Sequence, residues 1–284
     1  MFREGEPQPQ FNKSEVVPEV KPEQKAETKE NSLDRLKDEI KDMSLGLQKE
    51  GVPVDERARI DIKKFKDVYS KQTIESDGAW VKDLRGRWDR AAASSRPDSW
   101  MYGKKQLEEK VAQENPTGGV WEMLATSILH KNLGKDFIVV RTSEYDDARY
   151  KVDNVILDRK TGNVVCAFDE IGATTGERFE EKKNKVLERN WQRGGADLKY
   201  GISFEEKAGK MELKKGSVYQ IPLFYLALSE EEIKKTLNDP SQEKKIFSNF
   251  VESAKEQIKE IRKGPVHPKL GSRIDFFEGV LGKL

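Results

Sequence analysis

The apolar positions of residues 32–100 follow the 3.6-residue period of amphipathic helices. Ser32 is the predicted N-cap of the first helix, and the Gly51-Val52-Pro53 turn is its predicted end. The predicted helices span 32–50, 55–71 and 79–93. Residues 1–31 carry four prolines, many charged side chains and few apolar ones, so we expect a disordered tail there.

From about residue 100 the pattern changes to alternating helical and strand-like segments. The predicted helices cover 104–114, 120–133, 177–192, a segment opened by a capping box at Ser229–Glu232, and 242–262. The predicted strands cover 137–142, 150–157, 163–170, 198–204 and 218–228. This order predicts an α/β domain over 101–284, preceded by a helical region over 32–100.

Residues 150–170 predict a β-hairpin that brings carboxylates together. If Asp153 faces Phe168, then Glu170 is the diagonal neighbour of Asp153. A register one residue away brings Asp169 to that face instead. In either register two carboxylates meet at the end of an otherwise apolar hairpin.

A further carboxylate, Glu122, lies on the core-facing side of the predicted helix 120–133. A buried charge without a partner is costly, so Glu122 needs a cation, a metal ion or a proton, unless it reaches water near the helix N-terminus. The hairpin carboxylates repel each other unless a cation lies between them. Mg²⁺ or Mn²⁺, which prefer oxygen ligands, is the simplest such cation.

This succession of elements resembles the PD-(D/E)XK nuclease superfamily, which includes restriction endonucleases, RecB-type exonucleases and Holliday-junction resolvases. It consists of a helix with Glu, a strand, a strand with Asp, a turn, a strand ending in an acidic pair, and then a helix and a strand. The resemblance covers about 121–204 and is carried by the segments 120–124 (VWEML), 151–157 (KVDNVIL) and 164–170 (VVCAFDE). It implies a restriction-endonuclease-like mixed sheet flanked by helices, and hydrolysis of DNA phosphodiester bonds through a carboxylate-bound Mg²⁺.

The resemblance also implies roles for individual residues. Asp153 would be the main metal ligand, and Asp169 or Glu170 the second acidic position. Glu122 would be the helix carboxylate, so all four are candidate catalytic residues and metal ligands.

The lysine of the family motif is absent from its usual place. It is expected two residues after the second acidic position, where this chain has Ile171 or Gly172. Lys182 on the following helix and Lys151 near Asp153 are the candidates to replace it, by orienting water or stabilising developing charge.

The charge balance restricts the possible partners. The 284 residues contain 52 Lys+Arg and 51 Asp+Glu, a net charge of +1, which excludes a generally basic nucleic-acid binder. DNA would therefore have to bind at a local patch. One candidate is 79–93, where Trp80 and Trp88 alternate with basic side chains; the alternative is that these tryptophans are core anchors.

Other classes are excluded or disfavoured by composition. A single cysteine excludes a disulfide framework and a cysteine zinc site. No apolar run reaches the length of a membrane helix, so we expect no membrane partner and a cytoplasmic location. The alternative function is a non-catalytic nuclease-fold or other α/β interaction module, whose carboxylates would be paired with Lys or Arg.

Overall fold

The computed structural model describes residues 22–94 and 117–284. Its helices are α1 (Pro22–Lys49), α2 (Lys71–Ser94), α3 (Thr117–Leu133), α4 (Glu144–Tyr150), α5 (Glu177–Arg193), α6 (Glu230–Asn238), α7 (Glu243–Ile261) and α8 (Pro268–Leu281). Its strands are β1 (Phe137–Arg141), β2 (Asn154–Asp158), β3 (Val164–Ile171), β4 (Ala196–Lys207), β5 (Lys210–Ile221) and β6 (Leu223–Ala227). The predicted helix 104–114 and residues 1–21 of the predicted tail lie outside the described residues.

A four-stranded mixed sheet forms the centre, in the order β1-β2-β3-β6. β1, β2 and β3 are antiparallel neighbours, whereas β6 runs parallel to β3. Parallel neighbours need a crossover, which here contains α5 and the separate β4–β5 ribbon. Every residue of β1, β2 and β3 is buried, which places packed elements on both faces of the sheet. The predicted α/β class is thereby confirmed.

Helix α1 buries the face that the sequence pattern predicts. Leu36, Ile40, Met43 and Leu47 belong to the same hydrophobic core as α3 and the sheet. The helix begins at Pro22 rather than at Ser32, so residues 22–31 of the predicted disordered tail are helical.

The predicted helix over 55–71 is wrong. Val54 and Ile60 form an antiparallel bridge, Ala58 has a left-handed backbone (φ 55°), and only 62–65 form a short 3-10 helix. The Ile60 N–H donates to the Arg141 carbonyl, and the Arg141 N–H donates to the Ala58 carbonyl. The edge of β1 thus supplies the backbone hydrogen bonds that a helix would otherwise provide.

Two strand predictions also need correction. The segment predicted as a strand from Tyr150 begins with the end of α4, which Ser143 caps and Lys151 ends in a left-handed conformation. The predicted strand 218–228 is two strands separated at Pro222, which has no N–H to donate to a ladder. The capping box that opens α6 is present as predicted, whereas α8 had no counterpart in the sequence prediction.

Candidate metal centre

The hairpin register is set at the turn and altered by a bulge. The Asp158 N–H donates to the Asn163 carbonyl, as the predicted turn requires. A register shift between Ile156 and Leu157 then moves Phe168 opposite Asn154 instead of Asp153. The far end of the hairpin therefore adopts the alternative register, one residue away from the one that pairs Asp153 with Phe168.

Asp153 and Glu170 are the two adjoining, deeply buried carboxyl groups of the site. The backbone N–H of Glu170 donates to Asp153 Oδ2 at 2.7 Å, and Asn154 Nδ2 donates to Glu170 Oε1 at 2.7 Å. The second oxygen, Glu170 Oε2, is buried and has no hydrogen-bond donor among the described residues. Asp153 is 7% exposed and Glu170 6%, so solvent does little to stabilise either charge.

Burial and mutual repulsion shift the pKa values of both groups. Burial, followed by the neighbouring Glu170, raises the pKa of Asp153 well above its ordinary value. Burial raises the pKa of Glu170 from 4.5 to about 7, while its contacts with Asp153 and Asn154 oppose that rise. At neutral pH this pair is therefore poised to hold a proton or a cation.

Two arginines supply the partner that Glu122 needs. Arg59 Nη2 donates to Glu122 Oε2 at 2.9 Å, and Arg141 donates to the same oxygen. Arg59 Nη1 also donates to Asp147 Oδ2 at 3.1 Å. One oxygen each from Glu122, Asp147 and Asp153 lies within 4.8 Å of the others, so these carboxylates do converge.

The two guanidinium groups are nearly inaccessible to solvent. Burial lowers the pKa of Arg59, but Asp147 and Glu122 outweigh that effect and leave it raised. Burial, followed by repulsion from Arg59, lowers the pKa of Arg141. Their proximity is tolerated because the carboxylates lie between them.

Lys182 lies next to the acidic pair that ends β3. Its Nζ donates to Asp169 Oδ1 at 2.7 Å and to the Glu170 carbonyl at 3.0 Å. Burial raises the pKa of Asp169, and Lys182 opposes that rise. A lysine on the helix after β3 thus reaches the end of the hairpin.

Lys151 has a different position from the one predicted. It lies at the end of α4 rather than within a strand, and its side chain is directed at Trp88, with Nζ 4.8 Å from the ring centroid. Trp88 itself is 48% exposed. Trp80, one of the proposed stacking residues, instead packs against Tyr145 at a centroid distance of 5.4 Å.

Four members of the site were not predicted from the sequence: Arg59, Arg141, Asp147 and Asn154. Arg59 lies 63 residues before Glu122 in the sequence, so no local spacing links them. Asp147 lies on α4, in a stretch to which no element had been assigned. Asn154 is completely buried, and its side chain forms hydrogen bonds with Thr126 and Glu170. The sequence did contain one indication of this role, because Asn154 is an amide in a strand whose other residues are mostly apolar.

When all its carboxyl groups are ionised, the assembled cluster carries two more negative than positive charges. The cations Arg59, Arg141 and Lys182 face the carboxyl groups of Glu122, Asp147, Asp153, Asp169 and Glu170. A divalent cation at Asp153 and Glu170 would compensate this excess and satisfy the unpartnered Glu170 oxygen. The donor set consists of carboxylate oxygens, which suits Mg²⁺ or Mn²⁺.

A cavity of about 590 Å³ adjoins the cluster. Glu122, Asp147, Arg59 and Arg141 form part of its wall. α1, the 56–59 segment and α2 supply other parts, including the basic residues Lys37, Lys41, Arg57 and Arg85. Glu122 and Asp147 are therefore reached through a walled pocket, whereas Asp153, Asp169 and Glu170 lie behind them and do not line it.

Comparisons with protein-family models, with curated proteins and with solved structures found no match to this chain. In the ranges 22–94 and 117–284, no helix combines the length and apolar character needed to cross a membrane.

Proposed function

We propose that this chain is a metal-dependent nuclease that hydrolyses DNA phosphodiester bonds with Mg²⁺ or Mn²⁺. The observation that carries the proposal is the buried Glu170 Oε2, which has no donor and belongs to a carboxyl group adjoining Asp153. An uncompensated buried carboxyl pair is costly in a folded protein, and a bound cation would remove that cost.

The order of elements supports a restriction-endonuclease-like fold. The helix that carries Glu122 precedes three antiparallel strands, and the acidic residues lie on the second and third of these or just before them. The next helix leads, after the β4–β5 ribbon, to a strand parallel to β3. This order matches the resemblance to the PD-(D/E)XK superfamily as far as α5, with α4 as an addition between β1 and β2. The strand expected next, 198–204, lies in the separate β4–β5 ribbon, and β6 takes its place in the central sheet.

The residues divide the chemistry between them. Asp153 would hold the ion, either with the adjoining Glu170 or with Glu122 and Asp147, whose oxygens lie within 4.8 Å of one of its own. When bound, the ion supplies Lewis-acid stabilisation of phosphate charge and a more acidic water. Lys182, fixed by Asp169, is the candidate to orient the attacking water and to balance charge in the transition state.

The test is cleavage of single-stranded and duplex DNA with Mg²⁺ or Mn²⁺ by the wild type and by Asp153→Asn. Asp158→Asn is the matched control, because Asp158 lies at the opposite end of β2 and accepts hydrogen bonds from the turn. We expect cleavage by the wild type and the control, and its loss in Asp153→Asn. An inactive wild type, or equal activity of all three proteins, would refute the proposal.

The second candidate is a non-catalytic interaction module with this fold. The ion pairs from Arg59 and Arg141 to Glu122 favour it, because they neutralise a carboxylate expected to serve the metal. Titration with Mn²⁺, followed by calorimetry, separates the two functions. Binding that is lost in Asp153→Asn supports the nuclease, whereas no binding by the wild type supports the module.

We also propose a cytosolic location. The only cysteine, Cys166, is free and completely buried, which fits a protein that needs no oxidising compartment.

A further inference from the structure

The surroundings of the carboxylates bear on the form of DNA that can reach them. Asp153 and Glu170 are more than nine-tenths buried, and the adjoining cavity has walls from α1, the 56–59 segment, α2, α3, β1 and α4. A volume of about 590 Å³ is that of a pocket for a small molecule or a few linked groups. A duplex presents its phosphates on a broad outer surface, which such a pocket does not admit.

An aromatic ring lies one helical turn from the wall of the pocket, beside a basic side chain. Arg85 lines the cavity, and Trp88 lies three residues further along α2, on the same side of the helix. Trp88 is about half exposed, and the Lys151 ammonium lies over its ring at 4.8 Å. Lys151 precedes Asp153 by two residues, so the ring lies beside the segment that leads into the carboxylate cluster.

This combination fits an unpaired strand. Single-stranded DNA binds where basic groups meet its phosphates and an aromatic face stacks on its bases. The cavity wall carries six basic and five acidic side chains, so phosphates need the basic groups that no carboxylate already holds. Arg85 on α2 pairs with Glu144 at 2.9 Å, whereas Lys41 on α1 and Arg57 in the segment before the 3-10 helix form no ion pair among the described residues. Trp80, in contrast, packs its ring against Tyr145, so that ring is less available for stacking on a base.

We propose that the pocket takes an unpaired DNA strand rather than a duplex, and that Trp88 stacks on a base of that strand at the rim. This inference rests on the proposed function for its choice of DNA. The inference goes beyond the proposed function because it names the form of the substrate and a residue that binds the substrate.

The test measures binding rather than cleavage. In the full-length Asp153→Asn protein, fluorescence anisotropy is followed with a labelled oligothymidylate of roughly 12 nucleotides and with a duplex of the same length. We expect the single strand to bind at least about tenfold more tightly than the duplex. Trp88→Ala in this background should weaken single-strand binding by about 5- to 100-fold, and Trp88→Phe should retain most of it.

Tyr219→Ala is the matched control, because Tyr219 is an exposed aromatic residue on β5 and does not line this cavity. It should leave binding unchanged, and circular dichroism should show all variants folded. Equal binding of duplex and single strand, no binding of either, or an equal effect of Trp88→Ala and Tyr219→Ala would overturn the inference. A wild type that binds single strands but cleaves nothing would refute the nuclease while leaving the binding site in place.

Discussion

Replacing Glu170 with glutamine should stabilise the protein at high pH. In the folded state burial raises the pKa of Glu170 from 4.5 to about 7, so the folded protein binds this proton more tightly than the unfolded chain does. Ionisation of Glu170 therefore leaves the free energy of unfolding unchanged below about pH 4. It lowers that free energy progressively as the pH rises towards about 7, and the decrease is complete above that pH. Each pKa unit is worth about 1.4 kcal/mol, so the full cost is about 3 kcal/mol.

Glutamine keeps the shape of the side chain and the oxygen that accepts from Asn154. It replaces the unpartnered Oε2 with an amide that can donate towards Asp153. Without a divalent cation, the free energy of unfolding of Glu170→Gln should therefore exceed that of the wild type by about 3 kcal/mol at pH 8 and by about 1 kcal/mol at pH 5, and the difference should vanish below about pH 4. Under the proposed function, adding Mg²⁺ at pH 8 should narrow the difference, because the ion stabilises only the carboxylate form.

The assay is urea unfolding followed by tryptophan fluorescence between about pH 4 and pH 8.5. Glu243→Gln is the control, because Glu243 is also buried (8% exposed) but has a cationic partner, with Lys131 Nζ at 2.8 Å. That variant should lose stability at pH 8, since it leaves Lys131 with less compensation. If Glu170→Gln is destabilised to the same extent at every pH, then Glu170 is not an uncompensated buried acid and the reasoning fails.

Three further substitutions test other parts of the structure. Arg59→Met should cost about 3 kcal/mol in the free energy of unfolding, because it leaves Asp147 and part of Glu122 without a counter-charge. Lys182→Met should lower the rate of DNA cleavage at saturating substrate by at least about 100-fold under the proposed function. Ser229→Ala should cost about 1 kcal/mol by removing the N-cap of α6, measured as a fall in Tm.

Neighbouring residues provide the controls. Arg57→Met changes an exposed arginine of the same segment as Arg59 and should leave urea unfolding unaltered. Lys183→Met changes the adjacent lysine of α5, which pairs with Glu180 at 3.5 Å, and should retain cleavage. Equal effects of either control and its partner substitution would contradict the assigned role, as would an unchanged Tm in Ser229→Ala.

The regular elements were predictable where one local pattern decided the outcome. The sequence pattern correctly predicted the apolar face of α1, the turn of the β2–β3 hairpin and the capping box at Ser229. The segment 55–71 was not, because its helical spacing of apolar residues competes with docking onto the edge of β1. The tertiary hydrogen bonds to β1 outweigh the helical preference of this segment, and no pattern within the segment itself predicts them.

In the candidate site, too, some residues were predictable from local sequence patterns, whereas others depend on tertiary contacts. Periodicity placed Glu122 on the core-facing side of its helix, and the resemblance implied that it meets Asp153; the structure brings their oxygens close together. The arginines could not be found in this way, since Arg59 comes from a segment far earlier in the chain. The bulge between Ile156 and Leu157 was also hidden, although the alternative register had been considered.

The docking of residues 58–60 onto the edge of β1 has a consequence for dividing the chain into fragments. A fragment starting at Thr117 would contain every strand of the described residues and every carboxylate of the site, but it would lack Arg59 and the α1 side chains that cover α3. Such a fragment would combine an exposed apolar surface with a carboxylate cluster that has lost one of its guanidinium partners. Truncation from the N-terminus should therefore abolish folding before it removes any acidic residue of the site.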